Sequence, residues 1–249
     1  MLPILQLGPL SIPTAEFTLL LGLWLGLNLA EKHAPQHGLN ASAFSNLALI
    51  ALLGGIVSAR LGFAIQNAPA FSNRPLDLLS LNPGLLDLWS GIVGGGLLAI
   101  IYAQRKGFAL LLTLDSLVPL LAVLGVAIPL ANLASGKGFG AAANLPWSIQ
   151  LWGAARHPTQ VYELIAAALI LWWLYPENTR RPEKPAGLAF WSFLALSAGA
   201  RLFLEAFRGD SFLLSGGVRA VQIGAWLLLA ASLWMLYRLQ PQTNPKTEQ

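Results

Sequence analysis

The feature that most restricts the fold of this chain is a series of long apolar stretches, each about as long as a membrane is thick. A helix that crosses a bilayer needs roughly 20 predominantly apolar residues. Stretches of this kind lie near residues 14–30, 44–66, 86–104, 108–130, 160–176, 186–206 and 220–238. Their length and number predict an all-α, polytopic membrane protein with about seven transmembrane helices.

The composition supports this class and argues against several others. Only 10% of the 249 residues are charged, compared with about 25% in a typical soluble domain, and 55% are hydrophobic. The 15 Lys and Arg residues form no basic stripe, so we expect no binding of nucleic acid. The sequence has no cysteine, which excludes disulfides and thiolate ligands. We expect no metal site and no cofactor, since His33, His37 and His157 are widely scattered.

Basic residues in the loops predict the orientation, because cytoplasmic loops carry an excess of Lys and Arg. With seven spans, one face holds Lys32, Arg105, Lys106, Arg180, Arg181, Lys184, Arg238 and Lys246, and the other holds Arg74, Lys137, Arg156, Arg208 and Arg219. We therefore expect the N-terminus outside and the C-terminus in the cytoplasm. Residues 1–13 contain no Lys or Arg, so the first span does not read as a cleavable signal peptide. We expect one membrane domain over residues 1–240 and a polar, disordered tail over residues 241–249.

Ionisable residues inside the predicted spans are the first candidates for a functional site. Each costs about 2.5–3.5 kcal/mol at the centre of a membrane helix, so it needs a reason to be there. They are Glu16, Arg60, Asp87, Asp115, Glu163, Arg201 and Glu205. All except Asp115 fall in the outer half of their spans, which indicates a polar cavity open to the outside.

One group of these charges lies in the sixth span. Arg201 and Glu205 are four residues apart on one helical face, and Arg208 lies about one turn further on. They form either a self-neutralised pair that helps the span to insert, or an arginine fork for a planar anion such as phosphate. Arg60 either adds a second cation or extends its side chain to the lipid headgroups.

A second group precedes and enters the fifth span. Residues 156–163 read R-H-P-T-Q-V-Y-E, and Pro158 fits the first turn of a helix. Thr159 and Glu163 are four residues apart, with Gln160 beside Thr159. This segment is either an ordinary polar helix cap or the start of an anion site at a helix N-terminus.

Two glycine-rich segments are less specific. Residues 90–96 read S-G-I-V-G-G-G. The small residues favour close packing of two helices. The alternative is that they leave the backbone bare so that a lipid headgroup can approach. The second segment is the G-K-G-F-G run at residues 136–140, which follows Asn132. It is either part of a site, in which a polar amide is combined with flexible backbone, or a loop with no further role.

On these motifs the chain resembles the bacterial prolipoprotein diacylglyceryl transferases. Residues 157–163 are similar to the family motif H-P-T-Q-x-Y-E, residues 59–63 to A-R-L-G-Y, and residues 201–210 to R-F-x-x-E-F-x-R-x-D. Residues 8–12 match the usual entry to the first span. The order and spacing agree from about residue 4 to residue 238.

The resemblance implies an activity, its partners and a site. The family transfers diacylglycerol from phosphatidylglycerol to the lipobox cysteine of a prolipoprotein signal peptide, among the lipids of the bacterial cytoplasmic membrane. It uses no cofactor, and glycerol phosphate leaves. The implied catalytic residues are His157, Glu163, Arg201 and Glu205. The implied substrate-binding residues are Arg60, Asn132, Gly140, Thr159, Gln160, Tyr162 and Arg208.

Four positions depart from the family pattern. Ala15 stands for a Tyr, Gly94 for a His, Pro129 for an Arg and Lys137 for a Glu. Two hypotheses therefore remain open. The chain is either a working transferase with a rearranged site, or a non-catalytic relative that binds phospholipid or assists lipoprotein handling.

Overall fold

The computed structural model describes residues 4–7, 10–72, 76–77, 85–175, 185–214 and 216–240. The expected disordered tail and part of the segment between the second and third apolar stretches lie outside these ranges. So do several basic residues used to orient the chain, which are Arg74, Arg180, Arg181, Lys184 and Lys246.

The described residues are mostly helical. They form α1 (Thr14–His33), α2 (Ala41–Gln66), α3 (Ala68–Ser72), α4 (Leu88–Arg105), α5 (Leu110–Ser135), α6 (Thr159–Trp173), α7 (Leu188–Leu204) and α8 (Ala220–Leu239). Every one of these helices except the short α3 coincides with one of the seven apolar stretches. Four helical segments are long and apolar enough to cross a membrane, namely Ala41–Gln66, Leu110–Ser135, Leu188–Phe207 and Ala220–Leu239.

The helices expose large apolar side chains. Trp24, Leu53 and Trp226 are each more than half exposed, and many other Leu, Ile and Trp side chains on the helices are also open. A soluble protein avoids apolar surface of this extent, whereas lipid acyl chains solvate it. The exposure and the four long helices are consistent with an all-α membrane protein.

Contacts divide the chain into two compact units, which are described separately. The first unit comprises Met1–Ala30 with Leu114–Gln249, and the second comprises Glu31–Thr113.

In the second unit α2 packs closely on α4 through glycines. A Cβ at Gly91 would lie 3.2 Å from the Gly55 carbonyl oxygen, and a Cβ at Gly95 would lie 2.6 Å from the Ala51 carbonyl oxygen. A Cβ at Gly94 would overlap the Ser58 side chain. The structure therefore shows the close helix packing that the small residues at positions 90–96 predicted, since small residues let two helix backbones approach.

In the first unit α5 fixes the beginning of α7. Asp115 Oδ2 accepts a hydrogen bond from the Gly187 amide at 2.6 Å, and Asp115 Oδ1 accepts one from the Phe190 amide at 2.8 Å. The first amides of a helix have no partner within the helix, and Gly187 supplies no side-chain cap to α7. A carboxylate on a different helix takes that role, so Asp115, whose depth differed from that of the other charges, has a structural function.

Two short antiparallel hairpins complete the first unit. One pairs β1 (Ile4–Leu7) with β2 (Leu10–Pro13), and the other pairs β3 (Ile149–Leu151) with β4 (Ala154–Arg156). The turn of the second hairpin has positive φ at both Trp152 and Gly153, as a two-residue type I′ turn requires. Hydropathy did not predict these strands, because segments of three or four residues are too short to show a period.

Candidate active site

Ion pairs join three separate parts of the first unit. Glu163 Oε1 on α6 lies 2.9 Å from Arg201 Nη1 on α7 and 2.7 Å from Arg208 Nη1 beyond α7. Arg201 Nη2 lies 2.9 Å from Glu205 Oε2, so the pair expected from the four-residue spacing forms. We call Glu163, Arg201, Glu205, Arg208 and Asp210 the ion-pair cluster.

The end of α7 explains how two arginines reach one carboxylate. The helix ends at Leu204, and a 3-10 turn over Glu205–Phe207 follows, after which Arg208 has extended backbone. This change of direction brings the Arg208 guanidinium to Glu163, which a continued α-helix would not guarantee.

The members of the cluster differ in exposure. Glu205 is fully buried, and neither of its carboxylate oxygens accepts a hydrogen bond from the described residues, so its ion pair with Arg201 is its main stabilisation. The Arg201 side chain is 35% exposed, the largest fraction among these five residues. A guanidinium has five N–H donors, so Arg201 keeps donors for an incoming anion.

Arg208 is held more completely. Its Nε and Nη2 donate to the two carboxylate oxygens of Asp210 at 2.9 and 2.8 Å, a bidentate pair. Burial alone would lower the pKa of Arg208, but the hydrogen bonds to Asp210 and Glu163 outweigh it and raise the pKa above its ordinary value. Arg208 therefore stays charged.

The start of α6 holds the glycine-rich loop. Thr159 Oγ1 donates to the Gly138 carbonyl at 2.8 Å, and Gln160 Nε2 donates to the Lys137 carbonyl at 3.0 Å. A Cβ on Gly138 would lie 3.3 Å from the Asn132 amide nitrogen and 3.4 Å from the Arg208 guanidinium. The loop thus passes between Asn132 and the ion-pair cluster, and both Thr159 and Gln160 are buried.

The loop continues as an extended segment over residues 139–143 that pairs on both sides. Ala141 N donates to the Phe207 carbonyl and Gly209 N to the Phe139 carbonyl, at 2.8 and 2.9 Å. On the other side His157 N donates to the Ala141 carbonyl at 3.0 Å. The backbone therefore sets the position of the residues after α7 relative to those before α6. Gly140 is needed here, because a Cβ would overlap the His157 carbonyl oxygen.

An aromatic group surrounds His157. Its ring centroid lies 5.2 Å from that of Phe207 and 6.2 Å from that of Tyr162. His157 Nδ1 is 3.5 Å from the Tyr162 hydroxyl, which accepts a hydrogen bond from Trp147 Nε1 at 2.8 Å. These contacts orient the imidazole and the phenol.

Arg60 belongs to the second unit. It donates from Nη1 to the Leu85 carbonyl at 3.1 Å and from Nη2 to the Asp77 carbonyl. Asp87, also in the second unit, caps α4 by accepting from the Ser90 amide at 2.7 Å. These two charges bond within their own unit, while Glu163, Arg201 and Glu205 meet in the first.

The departures from the family pattern occupy varied places. Ala15 lies in the first turn of α1, and Pro129 lies inside α5. Gly94 packs against Ser58, and the exposed Lys137 gives its backbone carbonyl to Gln160.

Sequence reasoning assigned no site role to three residues, one within the ion-pair cluster and two beside it. Asp210 was noted only as part of a motif, yet it forms the bidentate pair with Arg208. Arg156 donates to the carbonyls of Leu151 and Gly140 and stacks on Phe139. Arg219 donates to backbone at the end of α7. Arg156 was named only as part of the polar segment at residues 156–163 and Arg219 only for orientation, because hydropathy carries no signal for such backbone contacts.

Comparison with known proteins agrees with the motifs. The model of the family described as prolipoprotein diacylglyceryl transferase matches residues 3–238. A phosphatidylglycerol–prolipoprotein diacylglyceryl transferase of Clostridioides difficile is 30% identical over 207 residues, covering 81% of this chain and 80% of that protein.

Two further relatives with the same name cover more of the chain. The protein of Thermus thermophilus is 29% identical over 276 residues, covering 94% of this chain and 96% of its own length. The protein of Trichormus variabilis is 26% identical over 257 residues, covering 96% of this chain and 90% of its own length. With its apolar helices and a family match over nearly its whole length, this multi-pass membrane protein belongs to the prolipoprotein diacylglyceryl transferase family.

Proposed function

We propose that this protein transfers the diacylglyceryl group from phosphatidylglycerol to the lipobox cysteine of a prolipoprotein signal peptide, the first step of lipoprotein maturation. The observation that carries the proposal is the ion-pair cluster, in which a partly exposed Arg201 shares the Glu163 carboxylate with Arg208. Family membership and the names of the relatives support the same reaction.

The charges of the cluster indicate how a phosphodiester binds. Two guanidiniums, Arg201 and Arg208, face three carboxylates, Glu163, Glu205 and Asp210. An added anion is therefore unfavourable unless it replaces a carboxylate as the partner of an arginine. Glu163 is the one that both arginines share, so we assign the phosphate to the place where Arg201 and Arg208 now hold Glu163. Glu205 and Asp210 keep the two arginines in position.

The same exchange gives the thiol proton an acceptor. When the arginines turn to the phosphate, the Glu163 carboxylate is available to take the proton from the cysteine sulfur. The sulfur attacks the carbon of the diacylglyceryl group that carries the phosphate oxygen and forms a C–S bond. The bond from that carbon to the phosphate oxygen breaks at the same time. Glycerol phosphate leaves with the electron pair and the arginines neutralise its new charge. His157, oriented by Tyr162, is the second group placed for proton handling.

The loop contacts serve the same substrate. Thr159 and Gln160 hold the loop that passes Asn132, and Gly140 lets the backbone approach His157. We assign these residues to positioning the headgroup.

An apolar groove suits an acyl chain. It measures about 410 Å³ and lies between α7 and α8. Its lining is Leu202, Gln222, Ile223, Trp226 and Leu227. Leu202 is the residue after Arg201 on α7, so the groove lies at the same height along the helix as Arg201, and we assign it to an acyl chain of the lipid whose phosphate meets Arg201.

We also propose seven spans in the bacterial cytoplasmic membrane, with the N-terminus outside. Helices at all seven apolar stretches support the number. The cysteine-free sequence permits a direct test. Single cysteines at Gln150 and Lys106 should react with an impermeant maleimide from opposite sides of the membrane, and reaction from the same side would contradict the topology.

The activity is tested with purified protein in nanodiscs that contain phosphatidylglycerol. A lipobox peptide should gain the mass of a diacylglyceryl group, and the same peptide with Ser in place of Cys should not. Arg201→Gln should lower the rate by about 10²–10³-fold, as for the loss of a charge-stabilising donor. Arg238→Gln is the matched control. Arg238 stacks on Trp234 near the C-terminal end of α8, far along that helix from the residues that follow α7, so this variant should keep the parent transfer rate.

The alternative hypothesis has a distinct outcome. A non-catalytic relative would still bind phosphatidylglycerol through Arg201 but would give no product with any lipobox peptide. That result, with folded protein, would refute the transferase function and favour the lipid-binding one.

A further inference from the structure

The connection between α7 and α8 carries an exposed apolar tip. Phe212 is 69% exposed, Leu213 57%, Leu214 40% and Val218 48%. Four large apolar side chains so close together are unusual in a loop that faces water. The proposed transfer reaction gives them no role.

The tip is a folded hairpin. Leu214 N donates to the Val218 carbonyl at 2.8 Å, Ala220 N donates to the Phe212 carbonyl at 3.1 Å, and Leu213 pairs with Arg219 across the two arms. Positive φ values at Gly216 and Gly217 close the turn. Because these backbone groups are paired internally, the hairpin loses less on entering a non-aqueous environment than an open loop would.

The flanking helices place the hairpin at a membrane surface. Both Leu188–Phe207 and Ala220–Leu239 are long and apolar enough to span, so the first ends and the second begins at the same face. The connection between them has only 12 residues, 208–219, and it includes the two arms of the hairpin. It is too short and too folded to leave the interface.

We propose that the hairpin inserts Phe212, Leu213, Leu214 and Val218 into the boundary between headgroups and acyl chains of the adjacent leaflet. The partner is the lipid surface itself, since the apolar tip is continuous with two lipid-exposed helices. Amphipathic elements bind this boundary through buried apolar area. The hairpin is thus an anchor outside the transmembrane spans.

Arg219 connects this anchor to the ion-pair cluster. It donates to the Arg208 carbonyl at 2.7 Å, to the Ser211 hydroxyl at 2.8 Å and to the Glu205 carbonyl. Two of these acceptors belong to the residues that carry the cluster, and the third lies at the base of the hairpin. The depth of the hairpin in the leaflet therefore fixes the depth of Glu205 and Arg208, with Arg219 as the positioning residue.

The test uses the absence of native cysteine. Phe212→Cys and Leu214→Cys are labelled one at a time with an environment-sensitive fluorophore and placed in nanodiscs of phosphatidylglycerol. Gln150→Cys, an exposed polar position on β3, is the matched control. We expect a blue-shifted emission, quenching by a nitroxide carried on the acyl chains and loss of quenching by iodide at both hairpin positions. The control should show more iodide quenching and less nitroxide quenching.

Other outcomes overturn the proposal. Iodide quenching at both hairpin positions equal to the control would place the tip in water. Protection from iodide without quenching by the lipid nitroxide would place it against protein.

The role of Arg219 is tested in the Phe212→Cys background. Arg219→Gln should reduce the quenching by the lipid nitroxide, and Arg219→Lys should restore part of it. Unchanged quenching in Arg219→Gln would remove Arg219 from the anchor. The readout is independent of catalysis, so a chain without transferase activity can still pass or fail it.

Discussion

Two adjacent glycines in α4 offer a matched test of how closely α2 and α4 pack. A Cβ at Gly95 would lie 2.6 Å from the Ala51 carbonyl oxygen and 3.1 Å from the Gly55 Cα, whereas a Cβ at Gly96 would meet nothing within 4 Å. Both substitutions to Ala gain the same helix propensity, about 0.8–1.0 kcal/mol. The difference between the two variants therefore isolates the packing.

The size of that difference follows from the contact. A carbon and a carbonyl oxygen approach to about 3.3 Å, so α2 and α4 must separate by about 0.7 Å to accept Gly95→Ala. Overpacking of this kind costs about 1–3 kcal/mol. We expect Gly96→Ala to be about 1 kcal/mol more stable than the parent, and Gly95→Ala to be about 1–3 kcal/mol less stable than Gly96→Ala.

The assay is thermal unfolding in detergent, followed by circular dichroism. For a chain of this size 1 kcal/mol corresponds to about 2–4 °C, so the two variants should differ in Tm by about 2–12 °C. Equal Tm values for Gly95→Ala and Gly96→Ala would refute the close packing of α2 on α4.

Three further predictions concern helix ends. Asp115→Ala should cost about 2–4 kcal/mol, since it leaves the buried Gly187 amide and the partly buried Phe190 amide at the start of α7 without this acceptor, and hydrogen exchange there should quicken. The Ser90 side-chain hydrogen bond, with its backbone bond, lowers the pKa of Asp87. This cap therefore acts fully above the ordinary carboxyl pKa, about 3.9, and is lost as pH falls through the lower folded value. Amide exchange at the start of α4 should increase in acid, and Asp87→Asn should abolish that pH dependence. Thr159→Val should cost about 1–2 kcal/mol, measured as a lower Tm, because it orphans a buried loop carbonyl.

Hydropathy and helix spacing predicted much of this fold. Each of the seven apolar stretches contains a helix, α6 begins directly after Pro158, and Arg201 pairs with Glu205. These features depend on local sequence, since a stretch of apolar residues or a four-residue spacing is visible without knowing the neighbours.

The contacts between distant segments were not predictable in the same way. Asp115 bonds to amides 72 and 75 residues later in the chain, and Glu163 bonds to arginines 38 and 45 residues away. Such pairs depend on which helices pack together, and hydropathy does not encode that choice. Arg219 was counted as a loop charge, because nothing in a single basic residue before a helix reveals three oxygen acceptors.

The bond from α5 to α7 has a consequence for how the chain is made. Ribosomes add about 5–20 residues per second, so the amides that Asp115 caps are synthesised roughly 4–15 s after the carboxylate itself. During that interval α5 lacks its α7 partners while it enters the membrane. The Asp115 carboxylate therefore has to be accommodated without these two partners while α7 is being made, and we expect substitutions at Asp115 to change the yield of inserted protein as well as the stability of the finished fold.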